Sequence, residues 1–178
     1  MGYRVPLGGD VPEKADWSGQ TRWWVIGASG SGKSTFARRV GAALGLATHD
    51  LDDVYRRRDG ELLGEGEGKA LAAGIAAGPR WVIEGVYGEL AQVALSRATA
   101  LVWLDLSWDV CREGLLQRGL HYGYDPDDPV DLAAWAEAHS QYGADHLKLY
   151  GAFGGLKTRL TTRAETAAFS IRLPPARR

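Results

Sequence analysis

The residues best suited to chemistry form a glycine-rich stretch with one lysine and two adjacent hydroxyls, GASGSGKST, at residues 27–35. Residues 27–34, named here the phosphate loop, fit the pattern G-x-x-x-x-G-K-[ST] in full. Glycine lets backbone N–H groups turn inward and approach a polyphosphate, because no Cβ atom stands in the way. The stretch follows an apolar run at 22–26 and opens a helical pattern over 34–45, whose N-terminus adds partial positive charge. The pattern therefore predicts a nucleoside triphosphate site.

The motif gives these residues expected tasks. We expect Lys33 to reach the β- and γ-phosphates and to take part in catalysis, while the Ser34 hydroxyl ligates Mg²⁺. Thr35 is expected to support the first helical turn. ATP and Mg²⁺ are the cofactors implied, although the motif does not distinguish ATP from GTP. The predicted cofactor-binding set is Gly27, Ser29, Gly30, Ser31, Gly32, Lys33, Ser34 and Thr35.

Acidic residues follow a second strand candidate, LATHD at 46–50. Because open α/β sheets bind ligands at the carboxyl ends of their strands, we expect Asp50, Asp52 and Asp53 beside the phosphate loop. Asp50 and Asp52 are two residues apart, which in an extended chain directs both side chains to one side. One could hold a metal-bound water while the other orients or deprotonates an acceptor, and Asp52 is the candidate for catalysis and for water-mediated Mg²⁺ contact. For Asp53 we expect a helix N-cap.

Glu84 and an arginine run are further candidates for contact with the acceptor molecule. Glu84 ends the apolar run WVIE, where its carboxylate could contact metal or acceptor, or be an ordinary surface group. The arginine run at 56–58, which begins with Arg56, could meet an anionic acceptor or be a solvated charge run.

Composition limits the class of protein. The 178 residues are 45% apolar, which fits one globular domain with an adequate core. With 21 basic against 22 acidic residues, no overall field draws the chain to nucleic acid or to an anionic membrane, so a nucleic-acid role would need a local patch. The single cysteine, Cys111, excludes an internal disulfide framework. No run reaches the roughly 18 apolar residues of a membrane span, and residues 1–20 have no apolar signal segment, so we expect a cytoplasmic location.

Strand and helix patterns alternate along the chain. The predicted strands are 22–26, 46–50, 81–85, 100–106 and 155–160. The predicted helices are 34–45, 68–78, 89–98, 108–119 and 163–171. Such alternation predicts an α/β fold, in which helices cover both faces of a parallel sheet. Residues 1–20 are interpreted as an N-terminal arm and 21–178 as the domain.

A helical stripe is predicted between residues 131 and 150, where apolar and histidine side chains recur at steps of three and four. We expect the stripe to pack on the core and its two histidines to be satisfied core residues rather than catalysts. Its members are Leu132, Trp135, His139, Tyr142, His146 and Leu149.

These motifs resemble those of the adenylate-kinase-like P-loop NTPases of bacteria, in particular the small members often labelled DNA topology modulation proteins. The resemblance spans about residues 22–170 and rests on GASGSGKST, the aspartate of HDLDD, WVIEGVY, the aspartate of WLDL, and CREGLLQRG. It implies a three-layer P-loop NTPase core with a five-stranded parallel sheet and Mg-ATP as donor. It also implies a short acceptor-binding insert over about 52–79 and a helical lid over about 119–147.

The resemblance implies roles for single residues. Arg118 matches the family's lid arginine that contacts the transferring phosphate, and Gln92 matches a glutamine with which adenylate kinases read the acceptor adenine. The family's first lid arginine falls here on Gly114. Its D-G-F-P-R motif reads EGVYG at 84–88, without the arginine that grips an acceptor phosphate.

The candidate site residues thus form two sets beyond the phosphate loop. The predicted catalytic set is Lys33, Asp52 and Arg118. The predicted substrate-binding set is Asp50, Asp52, Arg56, Glu84, Gly85 and Gln92.

Two classes of function stay open. The first is a phosphotransferase that moves the γ-phosphate of Mg-ATP to a small-molecule acceptor. The second is a nucleotide-dependent binding or regulatory ATPase with little acceptor phosphorylation. A nucleic-acid modulator is disfavoured by the near-zero charge and the lack of a basic stripe with interleaved aromatics. The predicted lid has four aspartates and no arginine over 120–135, which suggests a neutral or cationic acceptor. The sequence fixes neither the acceptor nor the oligomeric state.

Overall fold

A five-stranded parallel sheet forms the centre of the molecule. The computed structural model describes residues 17–54, 63–85, 90–119 and 125–171. The sheet has the order β2-β3-β1-β4-β5, and every pairing is parallel, which confirms the predicted fold class. The strands are β1 (Arg22–Gly27), β2 (Thr48–Asp50), β3 (Trp81–Glu84), β4 (Ala100–Leu104) and β5 (Leu156–Leu160).

Helices connect the strands, and each predicted helix is present with bounds that differ by a few residues. Within the ranges described, none combines the length and the hydropathy needed to cross a membrane. The helices are α1 (Lys33–Leu44), α2 (Leu51–Val54), α3 (Glu65–Ala77), α4 (Leu90–Arg97), α5 (Trp108–Arg118), α6 (Pro129–Ala152) and α7 (Arg163–Ile171).

The central strand β1 supplies the core on both faces of the sheet. Trp23 and Val25 lie in one buried cluster with Phe36 of α1. Trp24 and Ile26 lie in a second cluster, which includes residues of α3, α4 and α6. Because successive side chains of a strand point to opposite faces, a continuous apolar run in β1 serves two helical layers at once. The result is a three-layer arrangement with the carboxyl end of β1 leading into the phosphate loop.

Two glycines bring α5 into backbone contact with the phosphate loop. A Cβ atom on Gly30 would lie 2.0 Å from the carbonyl oxygen of Cys111, and one on Gly114 would lie 2.3 Å from the carbonyl oxygen of Gly30. Neither distance leaves room for a side chain. This contact gives a physical reason for glycine at position 114, where the resemblance has an arginine: any side chain there would overlap the loop.

Helix α6 packs its predicted stripe on the core. His146 is 2% exposed, and its ring meets the Trp103 ring at a centroid distance of 6.0 Å. The Nε2–H of His139 donates a hydrogen bond of 2.9 Å to the Leu106 carbonyl oxygen. Tyr142 is the most exposed member of the stripe, at 41%. The expectation that the stripe faces the core is therefore confirmed, with an open edge at Tyr142.

We expect Gly30→Ala to destabilise the protein far more than Gly45→Ala. Both glycines have positive φ angles, +76° and +65°, so both substitutions incur a conformational strain of about 1–2 kcal/mol. Only Gly30 faces backbone atoms, since nothing lies within 4 Å of a Cβ on Gly45. Overpacking should add about 1–3 kcal/mol to the loss for Gly30→Ala. Equal losses for the two variants in urea unfolding would contradict the close contact between the loop and α5.

Candidate active site

The phosphate loop has the strand–loop–helix placement that its motif predicts. It leaves β1 at Gly27 and reaches α1 through Gly32, which has a left-handed conformation with φ 86° and ψ 18°. The N-terminus of α1 has no side-chain cap and no acidic residue in its first turn. Its partial positive charge is therefore not neutralised locally, as an anion-binding helix terminus requires.

A cavity of about 750 Å³ opens beside the loop. Its walls come from the phosphate loop, α1, α5 and α7, and its volume lies in the range of small-molecule sites. Arg118, the predicted lid arginine, lines this larger cavity together with Lys33 and Ser34. The residues that line the larger cavity also include Gly32, Asp50, Asp53 and Arg163.

Lys33 also lines a second, smaller cavity of about 60 Å³. Of the residues the structure describes as lining these cavities, Lys33 alone belongs to both. The smaller cavity is lined by Gly27, Ser29, Lys33, Asp52, Gly85, Tyr142 and His146.

The acidic segment after β2 differs from expectation in two respects. The strand ends at Asp50 and α2 begins at Leu51, so the extended geometry that would direct Asp50 and Asp52 to one side is absent. Asp50 lines the larger cavity, whereas Asp52 lines the smaller one. The predicted N-cap at Asp53 is also wrong, because Asp53 lies within α2. Instead Asp50 accepts a hydrogen bond of 2.9 Å from the backbone N–H of Asp52 through its Oδ1.

Glu84 is buried, so its interpretation as a surface group is wrong. It is 1% exposed, and the parallel pairing of β2 with β3 sets it opposite Asp50. Burial raises the pKa of Glu84 to about 8, against the opposing charge of Lys33, while Asp50 raises it further. Ser34 and Asp50 lie near enough to affect this pKa, but neither carboxyl oxygen of Glu84 has a partner of normal hydrogen-bond geometry among the described residues. The structure thus holds a buried, largely protonated carboxyl at neutral pH, next to the phosphate loop.

Arg163 is a site residue that the sequence reasoning missed. It begins α7, and its guanidinium donates to the carbonyl oxygens of Ser31, at 2.6 Å, and Gly30, at 3.0 Å. In a trans peptide the C=O and N–H groups point in opposite directions. The Gly32 N–H therefore points away from the Ser31 carbonyl oxygen that Arg163 holds, so this bond fixes the orientation of the peptide group that carries the Gly32 N–H. A usable signal was available: Arg163 follows β5 at the same carboxyl edge of the sheet as the loop.

The remaining predicted residues have mixed outcomes. Gly85 lines the smaller cavity, and its carbonyl oxygen accepts a 3.0 Å hydrogen bond from Trp24 Nε1. Arg56 lies outside the described residues, and so does the side chain of Gln92.

No cluster of three or more histidine, cysteine or carboxylate side chains with metal-site geometry occurs in the described part of the chain.

Comparisons with known proteins place this geometry in a known fold. No protein-family model matches the chain, and no curated protein sequence does. The chain is similar to the solved shikimate kinase from Bacteroides thetaiotaomicron, with a TM-score of 0.59 and 16% identity over 86% of this chain and 96% of that one. It is also similar to the shikimate kinase from Acinetobacter baumannii (TM-score 0.55, 14% identity, 87% and 91% coverage). A third similar structure is a gluconokinase from Sinorhizobium meliloti (TM-score 0.50, 17% identity, 85% and 92% coverage).

These likenesses show that the chain has the P-loop kinase fold. At identities of 14% to 17% they show the fold alone. They agree with the fold that the resemblance implies and give no support to the narrower label of DNA topology modulation protein.

The buried carboxyl predicts a specific pH dependence of stability. Between pH 4.5 and about 8 the folded state retains a proton on Glu84 that the unfolded chain releases, which lowers the free energy of unfolding as pH rises. Below pH 6.5 the buried His146 acts in the opposite direction, because there the unfolded chain binds a proton that the folded His146 does not. The net fall should therefore be observed between about pH 6.5 and 8. This fall of the free energy of unfolding with rising pH should disappear in Glu84→Gln. Glu165→Gln is the control, because the backbone N–H of Thr161 lowers the pKa of Glu165 and its contribution is constant above its ordinary pKa of 4.5. Urea unfolding at several pH values measures the slopes, and parallel curves for wild type and Glu84→Gln would contradict the assignment.

We expect Arg163→Met to weaken Mg-ATP binding by about tenfold, because binding must then order a loop that has lost hydrogen bonds from a charged donor, which contribute about 1.5–3 kcal/mol. Arg163→Lys should recover little, because an ammonium lacks the planar fork that reaches two carbonyls. Arg80→Met is the matched control: Arg80 also donates to a backbone carbonyl, that of Leu44, but does not line the larger cavity. Titration calorimetry gives the dissociation constants. Wild-type affinity in Arg163→Met would show that the loop keeps its geometry without this contact.

Proposed function

We propose that this chain is an ATP-dependent small-molecule kinase, a phosphotransferase that moves the γ-phosphate of Mg-ATP to a small-molecule acceptor. One observation supports this most directly: Lys33 lines both the larger and the smaller cavity. A lysine that serves two adjacent sites can stabilise a phosphoryl group as it passes from one ligand to the other.

The larger cavity is assigned to the nucleotide. The phosphate loop and the N-terminus of α1 hold the β- and γ-phosphates, with the Gly32 N–H oriented by Arg163. Arg118 lines the same cavity and is assigned the task of neutralising charge on the transferring group, as its match to the family's lid arginine implies.

The residues present fit a magnesium ion. Mg²⁺ prefers oxygen ligands and usually keeps several waters, with one or two protein groups and the phosphates completing its shell. Ser34 and Asp50 line the larger cavity and each offers side-chain oxygen, the ligand type that Mg²⁺ prefers. We assign Ser34 and Asp50 as the groups that hold Mg²⁺, and this geometry favours Asp50 over Asp52 for the water-mediated contact. When bound, the ion neutralises phosphate charge.

Asp52 is assigned to the acceptor. It lines the smaller cavity next to Lys33, where an acceptor hydroxyl can approach the γ-phosphate. The acceptor oxygen forms a bond to the γ-phosphorus, the bond from that phosphorus to the bridging oxygen breaks, and ADP leaves with that oxygen. The hydroxyl proton passes to the Asp52 carboxylate. The solved structures of similar fold bear the names of small-molecule kinases, which supports this class of reaction for the chain.

We expect acceptor-dependent ADP formation in the wild type, and its loss in Lys33→Ala. Asp52→Asn should lower kcat by about 100-fold or more while the affinity for Mg-ATP stays within threefold, because a general base acts on the acceptor and not on the nucleotide. Asp145→Asn is the control, since Asp145 is exposed on α6 and pairs with Lys148. A coupled assay for ADP with a panel of polyols, sugars, amines and nucleoside monophosphates measures these rates. ATP turnover that no acceptor stimulates and that Asp52→Asn leaves unchanged would favour the regulatory ATPase instead.

A further inference from the structure

Two aromatic side chains of α6 form one wall of the smaller cavity. Tyr142 and His146 lie one helical turn apart, with ring centroids 5.8 Å apart and planes at 21°, so the rings are stacked. His146 is 2% exposed, and the edge of the Trp103 ring fixes it from the core side. Tyr142 is 41% exposed and stands at the open edge. The wall thus has a buried member, His146, and an exposed one, Tyr142.

His146 is buried and lines the smaller cavity, so a molecule bound there can contact its ring. The other histidine of the stripe, His139, is not among the described residues that line either cavity, and its Nε2 donates to the Leu106 carbonyl oxygen. The expectation of a core histidine thus fits the burial of His146, which in addition reaches the cavity.

The charge of this wall limits what it can bind. Burial lowers the pKa of His146 to about 4, and Lys33 and His139 lower it further, against the opposing effects of Asp105 and Asp145. The imidazole is therefore neutral at physiological pH and offers one donor and one acceptor. A neutral ring lacks the charge-assisted, bidentate pairing that carboxylate or phosphate ligands obtain from arginine.

We propose that Tyr142 and His146 form the recognition wall of the acceptor site, and that this wall selects an uncharged, hydroxyl-bearing molecule. The inference rests on the proposed kinase function and names the acceptor class for it. One acceptor hydroxyl meets Asp52 and Lys33, a second exchanges a hydrogen bond with His146, and the Tyr142 ring packs on the carbon skeleton. The cavity has a volume of about 60 Å³, which can hold the hydroxyl-bearing end of such a molecule.

The first test is binding without nucleotide, followed by NMR of the histidine ring signals in the full chain. Glycerol and glucose are the neutral probes, and gluconate and shikimate are the anionic ones. We expect a neutral probe to shift the signals of His146 and leave those of His139 unchanged, with no shift from the anionic probes at equal concentration. Shifts of His146 by the anionic probes, or none by either neutral probe, would overturn the proposal.

The second test uses variants with the acceptor that the wild type phosphorylates. His146→Leu should raise KM for that acceptor at least tenfold, with kcat within threefold and unchanged affinity for Mg-ATP. His146→Gln, which keeps an uncharged donor and acceptor, should restore KM to within threefold of wild type. His139→Gln is the matched control from the same helix and should leave KM unchanged. A wild-type KM in His146→Leu, or an anionic preferred acceptor, would overturn the inference.

The two proposals fail separately. If calorimetry shows no binding of Mg-ATP by the wild type but a neutral probe shifts the His146 signals, the kinase proposal is contradicted and the recognition wall is retained as a binding site. A wild type that binds Mg-ATP without a His146 shift contradicts the wall and retains the kinase. Melting temperatures of the variants show whether each one is folded under the assay conditions.

Discussion

The backbone contact between the phosphate loop and α5 sets the geometry of the whole site. A side chain on either Gly30 or Gly114 would overlap main-chain atoms of the other element. Two backbones in van der Waals contact have a separation set by atomic radii and not by adjustable side-chain rotamers. Arg163 then holds two carbonyl groups of the same loop. The loop, α5 and the start of α7 therefore behave as one unit, and the larger cavity is bounded by these elements together with α1.

The parts of the molecule that follow from local sequence could be predicted. The run RWWVI, the glycines after it and the helical spacing up to Gly45 each act over a few residues, and β1, the phosphate loop and α1 occur where these patterns put them. The alternation of strands and helices was sufficient to predict the parallel sheet, because parallel strands need covered faces and crossover connections. The sequence also identified Lys33 and Asp52 as site candidates, and both line the cavities.

The parts that depend on distant partners could not be predicted. Arg163 is 132 residues from Ser31, and its position after β5 indicates the carboxyl edge of the sheet but not its contact with the Ser31 carbonyl. The burial of Glu84 arises from the pairing of β2 with β3, which places it opposite Asp50. The expectation that Asp50 and Asp52 point to one side was wrong because β2 ends at Asp50. The Asp50 side chain accepts a hydrogen bond from the backbone N–H of Asp52, so the chain is not extended at Asp52. His139 and His146 share one helix face in the sequence pattern, and only their tertiary contacts distinguish them. His139 bonds to the Leu106 carbonyl oxygen, whereas the His146 ring packs against the Trp103 ring.

The contact at Gly30 involves the carbonyl of the chain's single cysteine, Cys111, which is fully buried. Burial raises the pKa of its thiol to about 11, although Arg163 and Lys33 oppose the rise. Since the thiolate is the form that reacts with alkylating and disulfide reagents, Cys111 is inert while the native contact persists. Its modification by such reagents requires the buried cluster that Cys111 forms with Ala28 of the loop and Leu106 to open. The rate of thiol labelling therefore reports, without any introduced probe, how often the phosphate-binding end of the molecule opens.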